Sequence, residues 1–302
     1  DKDTSRGLGD VYKRQKLYRE SPEKYPYDTE GYSDALGIQW GAIVGEDIAI
    51  PIAFRRVFGL KTGYLPFGIQ QWGPIGRSAS SKKHIIKALD SIPNNFKKID
   101  ISFHRSLDWG NIHKGWHFKN YRLQRFTIAP NYELELSLGY EKIHGNYSKQ
   151  IKRNLKSSLK QNLTLFEHDT PDVLIREFKQ YQGKRYSISD KFITSLSQVM
   201  YHLLHKAKGA VWTLYGSGNR FHAGVFVAFS GNRIVLLFSA VSQEGRDSNA
   251  MSQLINELII FSCGRWEIFD FEGSKESGLS RFYSGFGAQS VPYVRYQRWA
   301  IL

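Results

Sequence analysis

Residues 233–287 read, in order, as strand, polar break, amphipathic helix, strand and short Gly-punctuated helix, a pattern that fits a sheet with helices packed on it and little else. The run 234–241 (IVLLFSAV) is apolar, of strand length and free of Pro. Residues 243–249 (QEGRDSN) are polar and carry one Gly, which predicts a loop. Met251, Leu254, Ile255, Leu258 and Ile259 recur at helical spacing and predict a helix over 250–262. In 266–271 (WEIFDF) the alternation returns, with Ile268 and Asp270 on one face of a strand and Phe269 and Phe271 on the other. Glu272 falls at the strand's end on the Asp270 side, ahead of Gly273 and Ser274. A polar loop that opens a helix between two strands turns backbone N–H groups toward an anion, commonly a phosphate. A carboxylate on the next strand can then serve a reaction held there.

The rest of the chain divides near residue 143. Residues 38–57 predict a hairpin about Gly45-Glu46-Asp47, with Pro51 expected at an edge or a bulge. Extended chain broken by turns follows over 63–76, then a helix over 80–92 and a strand over 98–103. Residues 121–128 and 132–136 read as a further strand pair around Pro130. Beyond Asn146 the order is helix 147–161, strand 163–168, helices 171–182 and 190–206, and strands 210–216 and 221–229. The helix 147–161 has two faces. Lys149, Lys152, Arg153, Lys156 and Lys160 form one stripe, and Ile151, Leu155 and Leu159 form an opposite, core-facing one. No acidic residue lies between Gly145 and Phe166, so the stripe is either a solvated face or a surface for phosphates.

Phe269-Asp270-Phe271-Glu272-Gly273-Ser274, followed by Gly278-Leu279-Ser280-Arg281-Phe282-Tyr283-Ser284-Gly285-Phe286-Gly287, resembles the signature of the FemABX-like branch of the GNAT acyltransferases. That branch includes the aminoacyl-tRNA-dependent enzymes of peptidoglycan cross-bridges and proteins with a BioF2-like acetyltransferase domain. Residues 147–154 (YSKQIKRN) and the stretch 66–76 are similar to it too, so the resemblance covers 25–302. It implies an α/β fold with mixed sheets and two tandem GNAT-like units packed side by side, the last strand crossing back to the first. The units are then 16–143 with 291–302, and 144–290. Residues 1–15 resemble a translated adapter and are expected to stand apart as a non-native or disordered leader.

The resemblance also implies N-acyl transfer, in which an amine attacks a thioester or a tRNA ester directly. The donor is acyl-coenzyme A or aminoacyl-tRNA, and the acceptor is an amine-bearing small molecule or a nucleotide-linked, cell-wall-type precursor. Gln243, Gly245, Arg246 and Asn249 occupy the donor-gripping segment, although one Gly and two acidic residues, Glu244 and Asp247, replace the usual glycine-rich run. Asp270, Glu272 and Tyr283 are the catalytic candidates, a carboxylate as base and the phenol as acid or oxyanion donor, expected where the two units meet. A Lys often follows the Phe in the family pattern; Tyr283 stands there instead. Lys149, Lys152, Arg153 and Lys156 are candidates for phosphates, and Tyr64, Gln70 and Gln71 for an amide- or sugar-bearing acceptor.

The net charge of +14 suits polyanions: nucleic acid, nucleotide-linked substrates or an anionic membrane face. The leader holds four basic and three acidic residues, so the remainder keeps +13. One cysteine and no paired His motif give no metal cluster and point to a reducing cytoplasm, and no apolar run is long enough to cross a membrane. The rival reading is a non-catalytic tRNA-binding protein on a degenerate GNAT scaffold.

Overall fold

The computed structural model describes residues 16–29, 31–45, 47–105, 115–119, 122–181, 189–273 and 277–300. The leader 1–15, Glu46, Tyr121, Gln182, Ser274 and the last two residues lie outside them. The chain forms two compact units, Asp1–Ala129 with Pro292–Leu302 and Pro130–Val291, each built on one seven-stranded mixed sheet.

In the first unit the hairpin forms as β1 (Trp40–Val44) and β2 (Ala49–Val57), followed by β3 (Leu60–Tyr64), helix α1 (Lys82–Asp90) and β4 (Phe96–Ser102). Strands β5 (His117–Lys119) and β6 (Arg122–Ala129) complete its continuous part. Ile50 and Ile52 of β2 and Ile99 and Ile101 of β4 point one way and enclose a core with Ile85 and Leu89 of α1. The last strand of the chain, β14 (Tyr293–Ala300), inserts between β4 and β6 and runs antiparallel to both, so the sheet order is β1-β2-β3-β4-β14-β6-β5. The C-terminal strand thus crosses back as expected.

Pro51 is one strand in from the edge rather than on it. The β2–β3 ladder ends at Ala53↔Tyr64, so at Pro51 only β1 lies alongside, opposite Ala42, and the missing N–H disrupts no second ladder.

The second unit begins with β7 (Tyr132–Glu135), which does not pair with β6. It lies antiparallel to β12 (Ile268–Asp270) and β13 (Gln289–Ser290) instead. Pro130 and the buried Asn131 turn the chain away, and Leu134 enters the core of the second unit. Helices α2 (Tyr140–Gly145) and α3 (Lys149–Ser158), strand β8 (Thr164–Phe166), and helices α4 (Pro171–Tyr181) and α5 (Asp190–His205) come next. The antiparallel run β9 (Gly209–Gly216), β10 (Arg220–Ser230) and β11 (Arg233–Val241) leads into α6 (Gln243–Asp247), α7 (Ala250–Ser262), β12, α8 (Ser277–Gly285) and β13.

Strands β11 and β12 are parallel, joined by a crossover through α7, but only Arg233, Ile234 and Val235 have partners in β12. From Leu236 onward β11 has no strand on that side among the described residues, and Leu237, Phe238 and Ser239 are half-buried. The sheet opens there.

Two local expectations change. Leu159 does not face the core: α3 ends at Ser158, a 3-10 turn covers Leu159–Gln161, and the tighter winding rotates Leu159 out to 61% exposure while Ser158 is buried. The segment 243–249 is not a loop either. Ser242 accepts a hydrogen bond from the Gly245 N–H at 3.0 Å and caps α6, which fills most of it.

Candidate functional site

The second unit's sheet places the two predicted carboxylates at the mouth of the opening, with different surroundings. Asp270, on β12, is 1% exposed. One carboxylate oxygen accepts from Arg233 Nη1 at 2.9 Å, the other from Asn131 Nδ2 at 3.1 Å and from the Glu272 N–H at 2.8 Å. Glu133, opposite Asp270 on β7, accepts from the same Arg233 nitrogen at 3.1 Å and from Asn131 at 3.2 Å. Arg233 is fully buried, so two carboxylates and one guanidinium share a dry pocket below the strand end. Asp270 is thereby an anchor with its oxygens engaged.

Glu272 stands just past that anchor. Its φ of 57° is left-handed, unusual for a residue with a Cβ, and three hydrogen bonds fix it. Its N–H donates to Asp270, its carbonyl accepts from the Tyr132 N–H at 3.3 Å, and the preceding Phe271 N–H donates to the Tyr132 carbonyl at 2.9 Å. Burial pushes its carboxyl up to about 8 from the ordinary value near 4.5. A carboxyl that titrates near neutrality at the end of a strand is suited to moving a proton.

Tyr283 is not beside the carboxylates' face. Its ring stacks on Phe271 at 4.8 Å, within the core that also holds Phe269 and Phe286, whereas Asp270 points to the other side of the strand. The pleat explains this, since α8 folds back over the phenylalanine face.

The donor-gripping candidates are spread around α6. Gly245 is buried, and a Cβ there would lie 1.8 Å from the His222 carbonyl oxygen, so its glycine is required by close packing on β10. Gly245→Ala should displace α6 and destabilise the second unit by about 1–3 kcal/mol, read from the urea midpoint, whereas an unchanged midpoint would contradict the contact. Gln243 donates to Asp247 at 3.0 Å on the surface, and Arg246 is exposed. Asn249 takes the left-handed conformation, φ 58°, at the start of α7 without capping it through its side chain. These residues lie on and beside a short helix capped by Ser242 rather than along an open loop.

Lys149, Lys152, Arg153 and Lys156 are all exposed along α3, and none forms an ion pair with a described residue. Lys152 donates to the Gly145 carbonyl at 2.8 Å, and Arg153 donates to Gln150. In the first unit Tyr64 is half-buried on β3, whereas Gln71 is fully buried and donates to Gln70 at 3.1 Å. That orientation turns Gln71 inward.

The polar seam between α3 and α7 escaped the periodicity reading. Ser252, Gln253 and Asn256 of α7 are buried. Ser252 accepts from Asn154 at 3.3 Å, Gln253 from Ser158 at 2.8 Å, and Asn256 from the hydroxyls of Tyr140 and Tyr147 at 3.1 and 3.2 Å. The polar residues of α7 thus face α2, α3 and the link between them rather than solvent.

No family model matches the chain, and no curated protein matches it by sequence. Its fold, however, is shared with solved structures. FemX superposes with a TM-score of 0.64 at 11% identity, covering 94% of this chain and 95% of that one. A conserved protein of unknown function from Bacteroides thetaiotaomicron gives 0.59 at 10% identity over 97% of both chains. L-PGS from Bacillus licheniformis gives 0.55 at 12% identity over 95% of this chain and 91% of that one. The chain therefore shares the fold of FemX and L-PGS, two tandem GNAT-like units each on a mixed sheet. Among the described residues no group of His, Cys, Asp and Glu could hold a metal, and no helix is long and apolar enough to cross a membrane.

Proposed function

We propose that the protein transfers an acyl or aminoacyl group to an amine, with the donor arm seated in the opening between β11 and β12 and Glu272 as general base. The observation that carries this reading is the end of β12 at Asp270, which leaves β11 beyond Val235 without a strand on that side among the described residues, with Glu272 fixed at that strand end. Unladdered N–H and C=O groups along 236–241 can pair with the amides or esters of an extended arm as a missing strand would. The incoming amine must lose a proton as its nitrogen bonds to the acyl carbon, and the carboxylate of Glu272 takes it. Asp270 and Arg233 hold Glu272 in place. Tyr283 supports the wall through Phe271, and the leaving oxygen or sulfur takes up the proton that Glu272 has accepted or one from water.

The turn α6 favours an aminoacyl-tRNA ester over acyl-coenzyme A, since Ser242 engages the Gly245 and Arg246 N–H groups and Glu244 and Asp247 disfavour a pyrophosphate beside the rest. The exposed stripe Lys149, Lys152, Arg153 and Lys156 suits the phosphates of a nucleotide-linked acceptor or of the tRNA. The deciding assay offers the protein a panel of acyl-coenzyme A thioesters and charged tRNAs with amine acceptors. Turnover with charged tRNA alone fits the full reading, and turnover with neither class sinks it. Changing Lys149, Arg153 and Lys156 to Ala should lower the salt slope of substrate binding by about one unit per lost phosphate contact. An unaltered slope would leave the stripe as a solvated face.

A further inference from the structure

On the face of the first unit's sheet opposite α1, strand register brings exposed aromatic rings and cations together from segments far apart in sequence. Phe118, Leu123, Trp299 and Lys98 lie in one row across β5, β6, β14 and β4. Arg125, Gln297 and Asp100 lie in the next row, and Trp116 precedes β5 on the Arg125 side. Trp116, Phe118 and Trp299 are 40%, 61% and 45% exposed. Lys98 Nζ sits 4.6 Å over the Trp299 ring, and Arg125 Cζ sits 4.5 Å over Trp116. The only carboxylate in these two rows, Asp100, is held by Arg295 through two hydrogen bonds of 2.6 Å and by Gln297 at 2.9 Å. Asp100 is thus engaged away from Lys98, and Arg125 donates to Gln297 Oε1 at 2.7 Å, so neither cation pairs with the carboxylate of these rows.

We propose that this face binds single-stranded polynucleotide, its bases stacking on Trp299, Trp116 and Phe118 and its phosphates meeting Lys98 and Arg125. The charge pattern selects this occupant. A helix seeking an apolar face would bury both cations, and a membrane would strip water from the Asp100–Arg295–Gln297 network in the middle of the patch at high cost. A single strand needs neither. Flat rings offer stacking to any base, a guanidinium lying on an indole offers a second stacking plane, and alternating cations follow a phosphate backbone. Rings in one row on β5 and β14 are about 10 Å apart, and Trp116 and Phe118 about 7 Å apart along their strand, a spacing an extended strand can bridge. The site is independent of the acyl-transfer reading, since none of its residues belongs to the second unit.

The test is fluorescence anisotropy of a short labelled oligouridylate with the intact chain, titrated between about 50 and 200 mM salt. Trp299→Ala and Trp116→Ala should each weaken binding roughly 5- to 150-fold, the loss of about one stacked base. Trp299→Phe should retain most of the affinity, and Lys98→Ala should reduce the salt slope by about one unit. All three positions are at the surface, and a circular dichroism spectrum checks each variant's fold. Absence of binding at low salt would overturn the proposal. So would affinity indifferent to both tryptophans but abolished by the Lys149, Arg153 and Lys156 triple change, which would mean charge alone. Binding of phosphatidylglycerol vesicles, but not the oligonucleotide, with the same tryptophan dependence would reassign the face to a membrane.

Discussion

Glu272→Gln should lower the rate of acyl transfer by about 10²–10⁴-fold, the usual cost of removing a general base. Gln keeps the side chain's size and its place beyond Asp270 but cannot accept a proton, so substrate KM should change far less than kcat. The pH dependence has a definite sign. With the carboxyl raised to about 8, the base form grows as pH rises, so wild-type kcat should climb through pH 8 and the residual rate of the variant should lack that limb. Stability carries the opposite trend. A carboxyl raised in the folded state favours the protonated form, so its contribution is complete below the unfolded value near 4.5 and is lost as pH rises toward 8. Relative to Glu272→Gln, the wild type should therefore lose stability across that window, measured by urea midpoints at stepped pH. Equal rates with parallel pH profiles would exclude Glu272 and point to a base supplied by water or by the acceptor itself. A rate loss without any change in the pH profile would make Glu272 a shape element of the opening, not its proton carrier.

What the sequence made legible is the local part of this arrangement. The β11–α7–β12 crossover was readable because each element carries its own period and the three are consecutive. Pairings across long separations were not. Tyr132–Glu135 has the alternation of a strand, but nothing in it says that its partner is Phe269 rather than Phe126, and Glu133 meets Arg233 across a hundred positions. Arg233 itself reads as a charged residue at a strand end, where exposure is the ordinary outcome. The anchor beneath Glu272 was invisible for that reason, although both Asp270 and Glu272 were legible from the strand's pleat. Tyr283 misled because helix α8 could return over either face, and only the packing of Phe271 decides which. Trp299, Trp116 and Lys98 likewise share a face only once β14 is placed between β4 and β6.

Arg233→Met should be the most damaging single change to the second unit. The fully buried guanidinium donates from Nη1 to Asp270 at 2.9 Å and to Glu133 at 3.1 Å, and both carboxylates are almost wholly enclosed. Removing one partner of a buried ionic cluster leaves uncompensated charge in a medium that solvates it poorly, at a cost of about 3–5 kcal/mol. For a unit of this size that lowers the melting temperature by roughly 6–20 °C, readable by scanning calorimetry. Lys should rescue little, because a point charge on a flexible stem does not reproduce the planar guanidinium that lies between two strands. Adding Glu133→Gln to Arg233→Met removes one stranded charge and should recover part of the loss, a coupling measurable in a double-mutant cycle. The functional consequence follows from the hydrogen bond between Asp270 and the Glu272 N–H: an Asp270 displaced by the loss of Arg233 no longer clamps the left-handed residue. Arg233→Met should therefore also reduce acyl transfer below the melting transition, at temperatures where the variant is fully folded. A melting temperature within two or three degrees of wild type would mean that water reaches the cluster, and the clamp on Glu272 would then need another source.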